Sequence, residues 1–258
     1  LGLFVVALFG LSLLVFVLLR MLPGDVAAVI AGTNAAPERI ASLRTELGLD
    51  KSYVAQYGDW MLGLLHGDLG VSTIGGKAVS AQVASRASVT FPLIIVSLLI
   101  ALAIGLPLGC AAVLTRNARL RGLCHGIAIV AGAIPALWGG LLLILLFSRG
   151  SGLLGLLPAQ GFPDNGWGAP LQALASLILP ALATGVTAGA SIMRYTRAAV
   201  GDKASSQAVD MAMACGMTRK QAVLRVALRL ATPQLVSVIG LTFAQMVTGV
   251  MVVENLFA

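Results

Sequence analysis

The sequence predicts an all-α polytopic membrane protein. Three observations carry that prediction. The 258 residues are 58% hydrophobic and 10% charged, with a mean hydropathy of +0.96. A soluble domain carries about 25% charged residues, so this chain cannot cover a globule with polar surface and the bilayer must act as its solvent. Five apolar runs are long enough to cross a bilayer, about 1–19, 88–114, 123–147, 171–193 and 234–253, against a need of about 20 residues at 1.5 Å rise each. The charges lie between these runs, and the loops alternate between neutral and basic.

Leu1–Leu19 is uncharged until Arg20. Its apolar run exceeds the ~7–15 residues of a signal-peptide core, and no small-residue cleavage site follows, so it reads as a first span. The start on Leu and the end just past a span are expected to be limits of a longer chain. Residues 20–87 hold six basic and six acidic residues, loop 115–122 holds Arg116, Arg119 and Arg121 with no acid, and loop 148–170 balances Arg149 with Asp164. Loop 194–232 has seven basic and two acidic residues. Positive loops mark the cytoplasmic side. The expected topology has the N-terminus, 115–122 and 194–232 inside, and 20–87, 148–170 and Glu254–Ala258 outside. The net charge of +7 thus reports orientation rather than nucleic-acid binding.

Within the spans, Gly105-x-x-x-Gly109 and Gly185-x-x-x-Gly189 have the spacing that lets helix backbones approach closely. Pro107 and Pro135 should kink their helices or mark bends. Cys110, Cys124 and Cys215 form no CxxC pair. Cys110 and Cys124 read as buried thiols in apolar surroundings, and no disulfide framework follows.

The segment 20–87 is patterned rather than linker-like. Pro37 suits a first helical position, with a helix to Leu47 ended by Gly48. Ser52 can cap a second helix, on which Val54, Tyr57, Met61, Leu64 and Leu65 recur on one face near Trp60. Two readings stay open for this helix: a platform for an external partner, or a helix packed on its own bundle or lying on lipid. His66 reads as a surface or capping residue rather than a metal ligand.

Between spans four and five a basic polar insert intervenes. A helix is expected from Ser205 or Ser206 to Cys215, with Gly216 at the left-handed terminator position. Thr218 and Gln221 have capping-box spacing for a second helix. That helix carries Ala222, Val223, Val226, Ala227 and Leu230 on one face, with Lys220, Arg225 and Arg229 off it, and Thr232-Pro233 is expected to end it. The outline is that of a DNA-binding helix-turn-helix, but attachment to a span argues against DNA. A lipid-surface helix and a docking element for a cytosolic protein remain.

Here the residues resemble a family. Asp210-Met211-Ala212-x-x-x-Gly216 looks like the Glu-Ala-Ala-x-x-x-Gly loop of ABC-importer permeases. Pro23-Gly24-Asp25, Leu47-Gly48-Leu49-Asp50, Gln56-Tyr57, Trp60, Gly67-Asp68-Leu69-Gly70 and Ser72 match the dipeptide/oligopeptide/nickel branch in order. So do Arg194-Tyr195-Thr196-Arg197 and Val253-Glu254-Asn255-Leu256-Phe257. The resemblance covers essentially the whole chain. It departs at Asp210, where the family has Glu, at Met211, where it has Ala, and at Cys215, where a basic residue is usual. Six spans are usual, and five are visible here.

The resemblance implies a type I ABC-importer permease, one domain over 1–258, in the bacterial cytoplasmic membrane. It implies a second homologous permease, two cytosolic ABC ATPases and an extracytoplasmic solute-binding protein as partners. ATP and Mg would belong to the ATPases, with no cofactor and no catalytic residue in this chain. Asp210, Met211, Ala212, Gly216 and Thr218 would couple to an ATPase, and Glu254 would sit at an outer gate. Di/oligopeptides are the expected solute. Nickel, metallophore and opine permeases share the motifs, so those solutes remain alternatives. A secondary transporter would show ionisable residues at mid-membrane and internal repeats, and a membrane hydrolase would need a nucleophile with its base, or metal ligands. Neither pattern is visible.

Overall fold

The computed structural model describes residues 2–21, 26–32, 35–72, 77–150, 152–158, 161–163 and 165–257. Pro23-Gly24-Asp25, Asp164 and the side chains of Arg121 and Cys124 lie outside the described set. Among the described residues the chain is helical apart from turns and two isolated β-bridges, with no named strand. It divides into two compact units, Leu1–Ala87 and Ser88–Ala258.

The first unit holds α1 (Gly2–Met21), α2 (Val26–Ala31), α3 (Pro37–Glu46) and α4 (Tyr53–Leu65). Pro37 opens α3, and Gly48 at φ +64 follows its end. Ser52 caps α4, its hydroxyl accepting the Ala55 N–H at 3.3 Å. His66 is the C-cap of α4, with Nδ1 2.7 Å from the Leu62 carbonyl. The apolar face of α4 is rotated from the expected stripe. Tyr57 packs edge-on against Phe9 and Phe16 of α1, and its hydroxyl lies 2.8 Å from that of Ser12, while Val54 and Leu65 stay exposed. On the opposite side Lys51 donates to Asp59 at 2.6 Å. That hydrogen bond first, and the carboxylate charge second, raise the Lys51 ammonium pKa above its ordinary value.

The boundary between the units falls inside α5 (Val79–Leu114). The second unit continues with α6 (Ala118–Ala133), α7 (Ala136–Phe147), a 3-10 turn at Gly166–Gly168 and α8 (Pro170–Ala204). Then come α9 (Gln207–Ala214), α10 (Arg219–Ala222), a π turn at Val223–Ala227 and α11 (Leu228–Phe257). Among the described residues, four helical stretches are long and apolar enough to span, with Arg219–Phe257 taken as one, and α6–α7 makes a fifth if taken as one broken span.

The bend expected at Pro135 is present, and α6 and α7 meet at 96°. Pro135 provides no N–H and steers Ile134 away from helical geometry. It occupies the N-cap of α7 at ψ 139. Helix α8 does not stop near 193 but runs to Ala204. Thr196, Ala199 and Val200 are buried at helical spacing, so packing prolongs the helix beyond its apolar run. Likewise Thr232-Pro233 does not end the last helix, which passes through Pro233. The Thr232 hydroxyl bonds the Leu228 carbonyl at 3.0 Å and that of Ser237 the Pro233 carbonyl at 3.1 Å.

The glycine pairs do what their spacing suggests: both line one seam between α5 and α8, where Gly105 lies against Gly189. A Cβ on Gly105 would lie 2.8 Å from the Gly189 carbonyl oxygen and 2.7 Å from Ile192 Cγ2. On Gly109 it would lie 2.6 Å from Thr196 Cβ, and on Gly185 2.8 Å from the Ser97 carbonyl oxygen. Helices α5 and α8 therefore touch backbone to backbone. Beside this seam the Ser97 and Thr184 hydroxyls, both buried, share a 2.7 Å hydrogen bond. Arg194 of α8 donates to the Ala128 carbonyl of α6 at 3.1 Å and to Ser191 Oγ at 3.1 Å, and Gly132 leaves room for its guanidinium.

Candidate coupling site and outer contact

One end of the second unit is built around Val209. This side chain is buried among Ala199 and Val200 of α8, Cys110 of α5, and Ala222, Val223 and Ala227 of the last helix. Ala212 and Met213 pack half-buried on the same cluster. Spacing of three and four residues puts these three on one face of α9, so its other face must point outward. Asp210, Met211, Ala214 and Cys215 are exposed there, Met211 at 71%. Of the residues expected to couple, Asp210, Met211, Gly216 and Thr218 are exposed, whereas Ala212 turns partly inward and serves as a floor.

The turn after α9 closes by backbone chemistry. The Met217 N–H donates to the Ala212 carbonyl at 3.1 Å and the Gly216 N–H to Met213 at 3.0 Å. That is the bond pair of a Schellman terminator, which needs a left-handed residue at the position Gly216 fills with φ +92. Thr218 and Gln221 then form the expected capping box. The Thr218 hydroxyl accepts the Gln221 N–H at 3.3 Å and Gln221 Oε1 accepts the Thr218 N–H at 3.0 Å. Both helix ends at the turn are thus satisfied locally. At the start of α9 the two serines serve the preceding helix: Ser205 and Ser206 donate to the Asp202 and Lys203 carbonyls at 3.0 and 2.7 Å.

Beyond the turn, the π segment changes the expected face. Its i→i+5 bond, from Leu228 N–H to the Val223 carbonyl, inserts an extra residue into one turn. Buried positions then read Val223, Ala227, Ala231 and Leu235, and Leu230 rotates out to 46% exposure.

At the other end of this unit, α11 meets α5 and the α7–α8 loop. The Thr90 hydroxyl donates to Glu254 Oε2 at 2.6 Å. The Trp167 indole N–H donates to the Ser88 carbonyl at 2.9 Å, its ring edge-on to Phe162 at 5.6 Å. The Gly161 N–H donates to the Phe257 carbonyl at 2.9 Å. Glu254 is half-buried and bonded. Its partner Thr90 and the neighbouring Trp167 tie were not visible in the sequence. An amphipathic ring in a polar loop was the one available hint.

These features define a class: an all-α protein with several helices long and apolar enough to cross a membrane and a short helix presented at one end. Residues 101–258 match the binding-protein-dependent transport system inner membrane component family, and residues 1–93 match its N-terminal companion family. The chain belongs to this family and is a multi-pass inner-membrane subunit of a binding-protein-dependent importer. It is similar to the dipeptide transport system permease protein of Escherichia coli K12, with 33% identity across 100% of this chain and 82% of the relative. A putative peptide transport system permease protein of Brucella abortus is 32% identical across 96% of this chain and 77% of its own. The glutathione transport system permease protein of Escherichia coli O6:H1 is 35% identical across 97% and 78%.

Proposed function

We propose that this chain forms half of the translocation pore of an ATP-driven importer of di- and oligopeptides. A second homologous permease supplies the other half, an extracytoplasmic binding protein delivers the solute, and two cytosolic ATPases bind ATP and Mg and hydrolyse the nucleotide. The names of the relatives support the solute class. The alternation of loop charge supports a cytosolic N-terminus with 115–122 and 194–232 on the same side. In this reading α9 and its turn, from Asp210 to Thr218, seat in a groove of one ATPase, and Glu254 with Thr90 holds one state of an outer gate.

The observation that carries the coupling role is α9 itself. It is fixed from beneath by Val209 and presents an uncovered face that ends in a left-handed glycine. A Cβ on Gly216 would meet nothing within 4 Å in this chain. A side chain there adds backbone strain of roughly 1–2 kcal/mol and projects only toward whatever docks. Gly216→Val should leave insertion and permease pairing intact while the ATPases are held weakly or hydrolyse ATP without transport. Arg229→Ala, an exposed charge off this face, should be mild. Wild-type transport with full ATPase retention in Gly216→Val would overturn the assignment. Identifying the solute retained by the partner binding protein after purification tests the solute class.

A further inference from the structure

Around the axis of α9, successive residues advance by about 100°. Val209 points into the cluster beneath, with Ala212 and Met213 packed to either side of it. Met211, two residues on from Val209, therefore stands on the far side of the helix, about 200° away. It is 71% exposed and is not part of that cluster. The exposed residues beside it on this face are Gln207, Ala214 and Cys215, and Gly216 follows with an open Cβ position. The outer face of α9 is thus one long apolar side chain rising from mostly small ones, with Asp210 on its flank.

Cations stand at both ends of this face. Lys203 precedes α9, and Arg219 and Lys220 follow its turn. All three are exposed, and among the described residues none has an acid within ion-pairing distance.

A helix that rests on lipid presents a broad apolar face with several large side chains. Helix α9 has one such side chain on its outer face, with an acid next to it in sequence. A single protrusion among small residues is instead a knob, which makes its contacts only in a hole of matching shape. Protein interfaces share this anatomy: a centre poor in charge, where Met is enriched, inside a polar rim.

We infer that Met211 is the anchor by which α9 holds the ATPase. It enters an apolar hole in the ATPase groove, and the rim of that groove carries acidic side chains that face Lys203, Arg219 and Lys220. The inference rests on the coupling reading of α9 and adds to it the chemistry of the partner surface. Met211 sets how long the ATPase stays, and the basic ends set how fast it arrives.

The test uses the complex of this chain with its partner permease and ATPases, in a Cys124→Ser background. There Cys215 is the exposed thiol of this chain, and Cys110 is buried. The ATPases are stripped off and rebound, and both rates are measured. Met211→Ala should release them about tenfold faster with little change in association. Met211→Leu keeps the apolar bulk and should stay within about threefold of the parent. Lys203→Glu combined with Arg219→Glu and Lys220→Glu should slow association about tenfold at low salt and abolish its salt dependence, with little change in release. Maleimide should spare Cys215 in the assembled parent and modify it once the ATPases are removed. Release from Met211→Ala within about twofold of the parent, in a complex that still shields Cys215, would overturn the anchor and leave the coupling reading standing. Association of the charge-reversed variant at the parent rate would overturn the acidic rim. Cys215 that reacts freely while the ATPases are bound would overturn the coupling reading, and the anchor with it. Cys215 shielded by phosphatidylglycerol bilayers without ATPases would overturn the protein partner in favour of a lipid surface.

Discussion

The α5–α8 seam yields the most exacting prediction. Replacing Gly105 by Ala adds one methyl group at a point 2.7 Å from Ile192 Cγ2, 2.8 Å from Ile192 Cβ and 2.8 Å from the Gly189 carbonyl oxygen. Two of those atoms are backbone or Cβ, and no rotamer change removes them. To restore a contact of about 3.4 Å the helices must part by roughly 0.7 Å, and the Ser97–Thr184 hydrogen bond on the same seam must stretch or shift. Overpacking of this kind costs about 1–3 kcal/mol. The alanine itself returns up to ~1 kcal/mol of helix propensity. With the obstruction lying in backbone, a net loss of about 1–2 kcal/mol is expected. Gly240→Ala is the control, since a Cβ there meets nothing within 4 Å and only the propensity gain applies. Gly109→Ala meets the same helix at Thr196 and the Met193 carbonyl, and one displacement of α8 relieves both clashes. The double variant should therefore lose less than the sum of the singles. Cys110 is a built-in reporter: it is buried, one residue from Gly109, whereas Cys215 is exposed. In a Cys124→Ser, Cys215→Ser background, thiol labelling during a thermal ramp in detergent reads unfolding of this seam. At about 2–4 °C per kcal/mol, Gly105→Ala should melt roughly 2–8 °C below its parent and Gly240→Ala at or slightly above it. Equal melting of the two variants would refute backbone contact at Gly105.

Two further predictions follow from the ends of the bundle. Thr90→Val removes the donor to Glu254 at nearly constant volume and should change basal ATPase activity of the assembled importer without changing assembly, as should Glu254→Ala; Glu254→Gln keeps an acceptor and should change it less, and unchanged rates in all three would remove Glu254 from the gate. Single cysteines at Ala36 and Asn117 in a Cys-free background should react differently with an impermeant thiol reagent on intact cells, only the first being labelled, and labelling at 117 alone would invert the proposed topology.

What the sequence made legible was local. The Gly216 terminator, the Thr218–Gln221 box, the Ser52 cap and the Pro37 start all depend on residues within a few positions of one another, and each is present as read. The glycine pairs were legible in kind, but not their mutual pairing, because spacing shows a smooth face and not the partner. Helix length was misread where hydropathy was taken as its ruler. Helix α8 continues to Ala204 since protein, not lipid, covers Thr196, Ala199 and Val200. Ala222, Val223, Val226 and Ala227 pack inward as read, but Leu230 was misplaced because the π turn shifts the residues after it and the local residue types do not announce it. The Thr90–Glu254 and Arg194–Ala128 bonds join residues 164 and 66 positions apart, which composition and periodicity do not connect.

The helix lengths bear on how a displacement of α9 would travel. Helix α8 has 35 residues and the continuous stretch Arg219–Phe257 has 39, so they extend about 52 and 58 Å, against a hydrocarbon core of ~30 Å. Both start from the cluster around Val209 and both reach the end where Glu254, Thr90 and Trp167 meet. Helix α5 is held to α8 by backbone contact, which cannot creep gradually past itself, and α6 hangs on α8 through Arg194. A force on α9 is thereby resisted along the α5–α8 pair and moves it as one body. Along the last helix, by contrast, the π turn comes directly after the capping box and Pro233 about a turn and a half beyond the π turn. Bending is cheapest there, where the regular i→i+4 ladder is already interrupted. In the proposed importer the two arms thus differ in stiffness. In this reading the α5–α8 arm rotates, the α11 arm flexes near its base, and the difference between them appears as shear at the far end, where the Thr90–Glu254 hydrogen bond joins α5 to α11.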